Sequence, residues 1–478
     1  MKTSPAGAPG VQLGSGETGS SFLHRVLLDA VTRFPELGAA QVPADPKRFK
    51  DDFGDVVTRF EAARVASARR VEVARHLLQL TNAALLLDGV PLLAALEEPV
   101  AAPAVDVHAG APGRWVPEVP LDGRVYRGRE VLTALAHLKD AHHLTHAAHA
   151  ALTWVVERSA EGLDLSGQRF AVIGAGAELS PVPLLLAAGA TVRWLDVKPP
   201  AATDGALVVT RGGDDVLNQP RAVLAALKDF AKDGPVHLGL FAYAPGAGRE
   251  LRLAAAMDAI VRCAGPEVVK SVSLYVSPTS PGELQPEDLD KASLRAASPA
   301  WWQRGFAAAR TLKGPGSFGQ PHAQVARGAI SLQGAAYQAA QYLTKLISSE
   351  VLAVDGLAGR PVTVSANVAG ITETRSLSHP LFQVAFQGAP AFGVRIFRPE
   401  TTRALAGLLM LHDLLNPAAP GASGRVFESS VHRARALRSQ QLHGGAYSLP
   451  WQFESAVRTA AVMGLGKRPD LLFRRAKA

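Results

Sequence analysis

The chain holds a single cysteine, Cys263, among 478 residues. That excludes an internal disulfide and a cysteine-based zinc centre, and it fits a reducing compartment. Cys263 sits in the apolar stretch AIVRCAG, the setting of a core residue rather than a nucleophile. Aromatic residues are scarce, at 6%, and do not interleave with Lys or Arg. The net charge of +8 therefore comes without a nucleic-acid motif, and no nucleic-acid partner is expected. Its densest basic clusters, 431–438 and 467–476, read as solvated surface that also favours an anionic cofactor. No uncharged apolar run is long enough for a membrane span. The N-terminal MKTSPAGAPGVQLGSGETGS has no apolar signal core, so a cytoplasmic protein is expected. What is present is the composition of a soluble globular protein, 47% hydrophobic and 19% charged.

Four segments follow one another. Residues 1–20 are rich in Gly, Ser and Pro and are expected to be a disordered tail. Residues 21–120 form a helical region, apolar at helical spacing to about 96, that ends in a Pro/Ala-rich linker over 97–120. Residues 121–375 open with a third helical stretch, 128–158, and then alternate strand and helix. Strands are expected at 169–173, 191–197, 205–210, 236–244, 268–277 and 361–369, and helices at 182–188, 219–232, 249–263 and 328–352. Such alternation gives an α/β fold with a doubly wound, mostly parallel sheet. A long insertion, 278–327, interrupts it with short helices at most, and 376–478 form a helical and loop-rich C-terminal cover.

Chemistry concentrates in 169–197, RFAVIGAGAELSPVPLLLAAGATVRWLDV. A β-type run enters Gly174-Ala175-Gly176, a helix follows, and a second β-type run ends in Asp196. Glycines without Cβ let a backbone approach a pyrophosphate, and a helix N-terminus presents free N–H groups to it. An acid at the end of the next strand accepts hydrogen bonds from an adenosine ribose. A full G-x-G-x-x-G would place glycine where Leu179 stands; Ser180 offers a hydroxyl to phosphate instead.

From about 169 to 375 this order resembles the Rossmann-like short-chain dehydrogenase/reductase superfamily. The glycine turn is similar to that family's phosphate turn, and Asp196 sits where the family sets nicotinamide-cofactor preference. Gly213-Asp214-Asp215-Val216 resembles its adenine-contacting turn, with Asp215 as the contact. Ala242-Tyr243-Ala244-Pro245-Gly246 resembles its small-residue turn beside the cofactor, with Ala244 and Gly246 against the ligand. Ser277 occupies the place of its catalytic serine, and Thr372 that of its nicotinamide-side threonine. The family's Tyr-x-x-x-Lys is not intact: Tyr337 is followed at i+4 by Gln341, and Lys345 comes one turn later.

The resemblance implies NAD or NADP as cofactor, with hydride transfer to or from a carbonyl/alcohol or activated C=C of a small-molecule substrate, and the large insertion and C-terminal cover suggest that this substrate is sizeable and partly apolar. Ser277, Tyr337 and Lys345 are its catalytic candidates. Two other readings of Tyr337 and Lys345 remain open, a structural pair and a substrate contact without chemistry. The alternative for the whole chain is a non-catalytic Rossmann-like protein that senses a nucleotide or serves in assembly; a homo-oligomer is compatible with either. A methyltransferase ranks last, because Ala171-Val172-Ile173 rather than an acid precede Gly174. His142, His146 and His149 share a helical face at i, i+4, i+7 and have zinc-ligand spacing; structure is the leading reading, a substrate- or cofactor-facing histidine is the alternative, and no metal is expected. Trp301, Trp302 and Phe306 either lid an apolar pocket or anchor the insertion, and His379-Pro380-Leu381-Phe382 falls where the related family covers its substrate.

Overall fold

The computed structural model describes residues 10–14, 16–110, 113–201, 205–246, 248–468 and 470. Its centre is a seven-stranded sheet. The strands are β1 (Val105–His108), β2 (Arg169–Ile173), β3 (Thr191–Leu195), β4 (Leu207–Thr210), β5 (Val236–Leu240), β6 (Val269–Val276) and β7 (Thr363–Val368). They lie in the order β7-β6-β5-β2-β3-β4-β1. β2 to β7 are parallel, and β1 closes the edge antiparallel to β4. All six parallel strands fall inside the ranges expected for them. β1 lies in the stretch expected to be a linker; at four residues, none of them buried, it carries too little periodicity to stand out.

Strand alternation divides the interior into two cores. Ala171 and Ile173 of β2 face one core, built with the helices Pro220–Phe230, Arg249–Ala264 and Ser348–Asp355 and with the N-terminal helices. Phe170 and Val172 face the other, built with Val131–Asp140, His146–Ser159, Val182–Ala187 and Pro399–Leu415. Burial on both faces is why these strands are near-continuous apolar runs. A third cluster joins the insertion to the C-terminal cover through Leu312, Phe392, Phe453 and Ala460.

Several expectations change. Val11–Leu13 of the Gly/Ser/Pro-rich tail form a strand against Leu85–Leu87; residues 1–9 and 15 lie outside the described residues. The stretch 128–158 is two helices, not one. Val131–Asp140 ends, His142 takes φ 57°, and Thr145 starts His146–Ser159 by accepting the Ala148 N–H. The insertion holds a twelve-residue helix, Pro286–Ala297, longer than expected. Pro286 at its first position and Asp288 accepting the Gln285 N–H start it.

The N-terminal helices are joined to the helix Ser348–Asp355 and to the insertion by buried charge. Arg64 meets Glu61 and Glu350 at 2.7 Å each, and Arg70 meets Glu350 at 2.9 Å and Glu283 at 2.7 Å. The Tyr342 hydroxyl donates to Glu61 at 2.7 Å. Burial alone would raise the Glu350 pKa; Arg64 and Arg70 outweigh it and hold the carboxyl well below its usual range.

Candidate functional site

The direction of the sheet reverses between β2 and β5, and in open α/β sheets ligands bind outside the strand C-termini at such a reversal. The glycine turn stands there. Gly174 has φ 79°, and a Cβ on it would lie 2.1 Å from the Ala242 nitrogen. Glycine is thus required where the turns after β2 and β5 touch. Gly174→Ala should cost about 3 kcal/mol, from positive φ and from overpacking. Chemical denaturation measures it, and an unchanged midpoint would contradict this turn geometry.

Gly176 is exposed, and its N–H donates to Asp196 Oδ2 at 3.0 Å. A Cβ there would meet the Trp194 ring at 3.1 Å, so this glycine makes room for Trp194 as well as for any ligand. Asp196 also accepts the Lys198 N–H at 3.2 Å, which leaves part of its lone-pair capacity open. Ser180 is 1% exposed and its hydroxyl accepts the Val182 N–H, so it faces the helix start and not a phosphate. Asp215 is used within its own turn, by the N–H groups of Leu217 and Asn218 and by the Asn218 amide. The buried acid is its neighbour: Asp214 accepts from Thr210 through Oδ1 and leaves Oδ2 without a partner. Burial is the main cause that raises its pKa.

The catalytic candidates meet at the same end of the sheet. Ser277 follows β6, and its hydroxyl lies 2.9 Å from that of Thr279. Both face the Tyr337 hydroxyl, with Tyr243 and Glu250 also near it. Burial, then Glu250 and Tyr243, push the Tyr337 phenol up, against a smaller lowering from Ser277 and Thr279. The helix expected at 328–352 starts at Ala335 and is α-helical to Ala339, π-helical over Ala340–Ile347, and α-helical again over Ser348–Asp355. Wide π turns recur at functional sites. Lys345 does not pair with the phenol. It lies 3.4 Å from Glu250, which also accepts from Gln341 at 3.5 Å and from the Ala244 N–H at 2.9 Å. Gly246, two residues on, is exposed with φ 116°.

Sequence reasoning missed Glu250, Thr279 and a strap after β7. The Arg375 N–H donates to Glu178 of the glycine turn at 3.0 Å, and Ser376 faces Tyr243 of the turn after β5. The strap therefore reaches both turns that flank the reversal. Thr372 at its start is turned away: its hydroxyl donates to the Gly370 carbonyl and lies 2.7 Å from Thr402. Trp302 packs against Phe306 and Phe392 and anchors the insertion, whereas Trp301 is exposed.

His142, His146 and His149 do not converge. His146 is exposed beside Glu287, while His142 joins Asp288 and His443 in a group whose ligand-type atoms lie within 4.8 Å of one another. Nε2 of His142 and of His443 stand 3.1 and 3.0 Å from Asp288 Oδ1. This donor set does not fit a metal. The Gly445 N–H donates to His443 Nδ1 at 2.9 Å, so the neutral ring keeps its proton on Nε2. The trio instead clamps the insertion helix to the cover. Comparison with models of known protein families and with curated proteins finds no match for this chain.

Proposed function

We propose that the chain is an NAD(P)-dependent oxidoreductase, a divergent relative of the short-chain dehydrogenases/reductases. One observation carries the reading: Ser277 and Tyr337 meet at the strand ends where Gly174 and Asp196 also stand. The strand order supports it, since β2 to β7 follow the 3-2-1-4-5-6 arrangement of dinucleotide-binding Rossmann sheets.

The residues fit such a cofactor in part. Gly176 is the exposed glycine of the turn, Asp196 has capacity for ribose hydroxyls, and Asp214 offers a buried unpartnered oxygen. Ser180, Asp215 and Thr372 are engaged elsewhere and are not needed. The cofactor would supply the hydride. Ser277 and Thr279 orient the substrate oxygen, and Tyr337 donates to it or exchanges a proton with it.

Calorimetric titration with NAD, NADP and S-adenosylmethionine tests the reading. NAD should bind in preference, and Asp196→Ala should narrow or reverse its advantage over NADP. Tenfold tighter binding of NADP to the wild type would remove the role of Asp196. Binding of neither dinucleotide would remove the oxidoreductase, and binding of S-adenosylmethionine alone would point to methyl transfer.

The second reading is a non-catalytic nucleotide sensor or assembly protein. It is favoured by Lys345 being tied to Glu250, and by the Glu178 carboxylate lying in the glycine turn under Arg375.

A further inference from the structure

We propose that Glu250 is a positioning residue for Tyr337. Its carboxylate holds the Lys345 ammonium on itself and ties the Ala242–Gly246 turn to the helix that carries the phenol. The proposal rests on the oxidoreductase reading, and it names what holds that site's phenol in place.

Glu250 is 4% exposed and stands in the first turn of Arg249–Ala264, where a helix N-terminus favours an anion. One of its oxygens takes the Ala244 N–H, and the other takes Lys345 and Gln341. A buried carboxylate needs a partner, and Lys345 is the cation within reach. The groups facing the phenol come from each surrounding element. Glu250 comes from its helix, Tyr243 from the turn after β5, and Ser277 and Thr279 from the segment after β6. On the phenol's own helix, Gln341 stands at i+4 and Lys345 lies two turns away, on Glu250.

Among the described residues of this helix, the one cation, Lys345, is therefore held on Glu250 and not on the phenol. Tyr337 therefore enters a reducing step in its protonated form. In the reducing direction, the carbonyl carbon gains the hydride pair, the C=O π bond opens, and the phenol proton goes to the oxygen. Solvent then returns a proton to Tyr337. The hydride comes from a reduced nicotinamide, which is oxidised in the step. The Ala244 N–H bond couples this arrangement to the turn that packs on Gly174.

The test places a fluorinated tyrosine at position 337 of the full chain and follows its phenol by fluorine NMR across pH. Glu250→Gln keeps the shape, removes the anion and frees Lys345. It should raise the phenol ionisation constant about tenfold or more. Lys345→Met should lower the constant about threefold or more, and the double variant should fall between the two. A folded Glu250→Gln protein whose phenol titrates with the wild type overturns the proposal. If that variant does not fold, as judged by circular dichroism, Lys345→Met decides: an unshifted phenol there overturns it equally. Nicotinamide dinucleotide binding by the wild type is measured separately. Its absence removes the oxidoreductase reading without moving the phenol titration, so the two failures are distinct.

Discussion

Glu350→Ala should lower the stability of the chain by about 3–5 kcal/mol, because it leaves two buried guanidiniums without their shared carboxylate. Arg64 and Arg70 reach Glu350 at 2.7 and 2.9 Å, and all three side chains are buried. The cost comes from buried positive charge left in excess, since only Glu61 and Glu283 then remain for Arg64 and Arg70. Urea denaturation measures it, and a loss under about 1 kcal/mol would show that water or other acids take over the pairing. The pH dependence has a definite sign. The folded carboxyl titrates below its ordinary value of about 4.3, so its contribution is complete above that pH. The contribution is lost as acid takes the protein down through the folded value.

Tyr337→Phe should reduce turnover by roughly 100-fold or more while dinucleotide affinity stays within twofold. The loss follows from removing the one hydroxyl that faces both Ser277 and Thr279. It is read from the nicotinamide absorbance with a panel of neutral, partly apolar carbonyl compounds. Equal turnover by the phenylalanine protein would move proton transfer to Ser277 or Thr279. A panel without turnover by the wild type, in a protein that binds the dinucleotide, would favour the sensor.

The parallel sheet is legible in the sequence because burial on both faces makes each strand a dense apolar run between turn residues. Edge strand β1 carries no such signature, since only one neighbour holds it and none of its side chains is buried. The insertion helix is hidden behind a Pro-rich approach, although Pro286 with Gln285 and Asp288 is a start signal.

The site divides along similar lines. Ser277 and Tyr337 are found from their places at a strand end and on the following helix. Asp214 and Asp215 are adjacent acids, and only the backbone path decides which is buried and which serves its own turn. Glu250 has no local mark, because a glutamate in the first turn of a helix is ordinary. Its role comes from contacts with residues about 90 positions away.

The π-helical stretch Ala340–Ile347 sets an angular phase. Tyr342 within it points to Glu61 on the N-terminal side, and Tyr337 before it points to Ser277 at the strand ends. Rewinding this stretch as α-helix at unchanged length would turn everything before it against everything after it, because an α turn holds fewer residues than a π turn. Either the Tyr342 bond or the phenol's place beside Ser277 would then be lost. The wide turns act as a spacer that lets one helix serve the buried charges at one end and the crevice at the other.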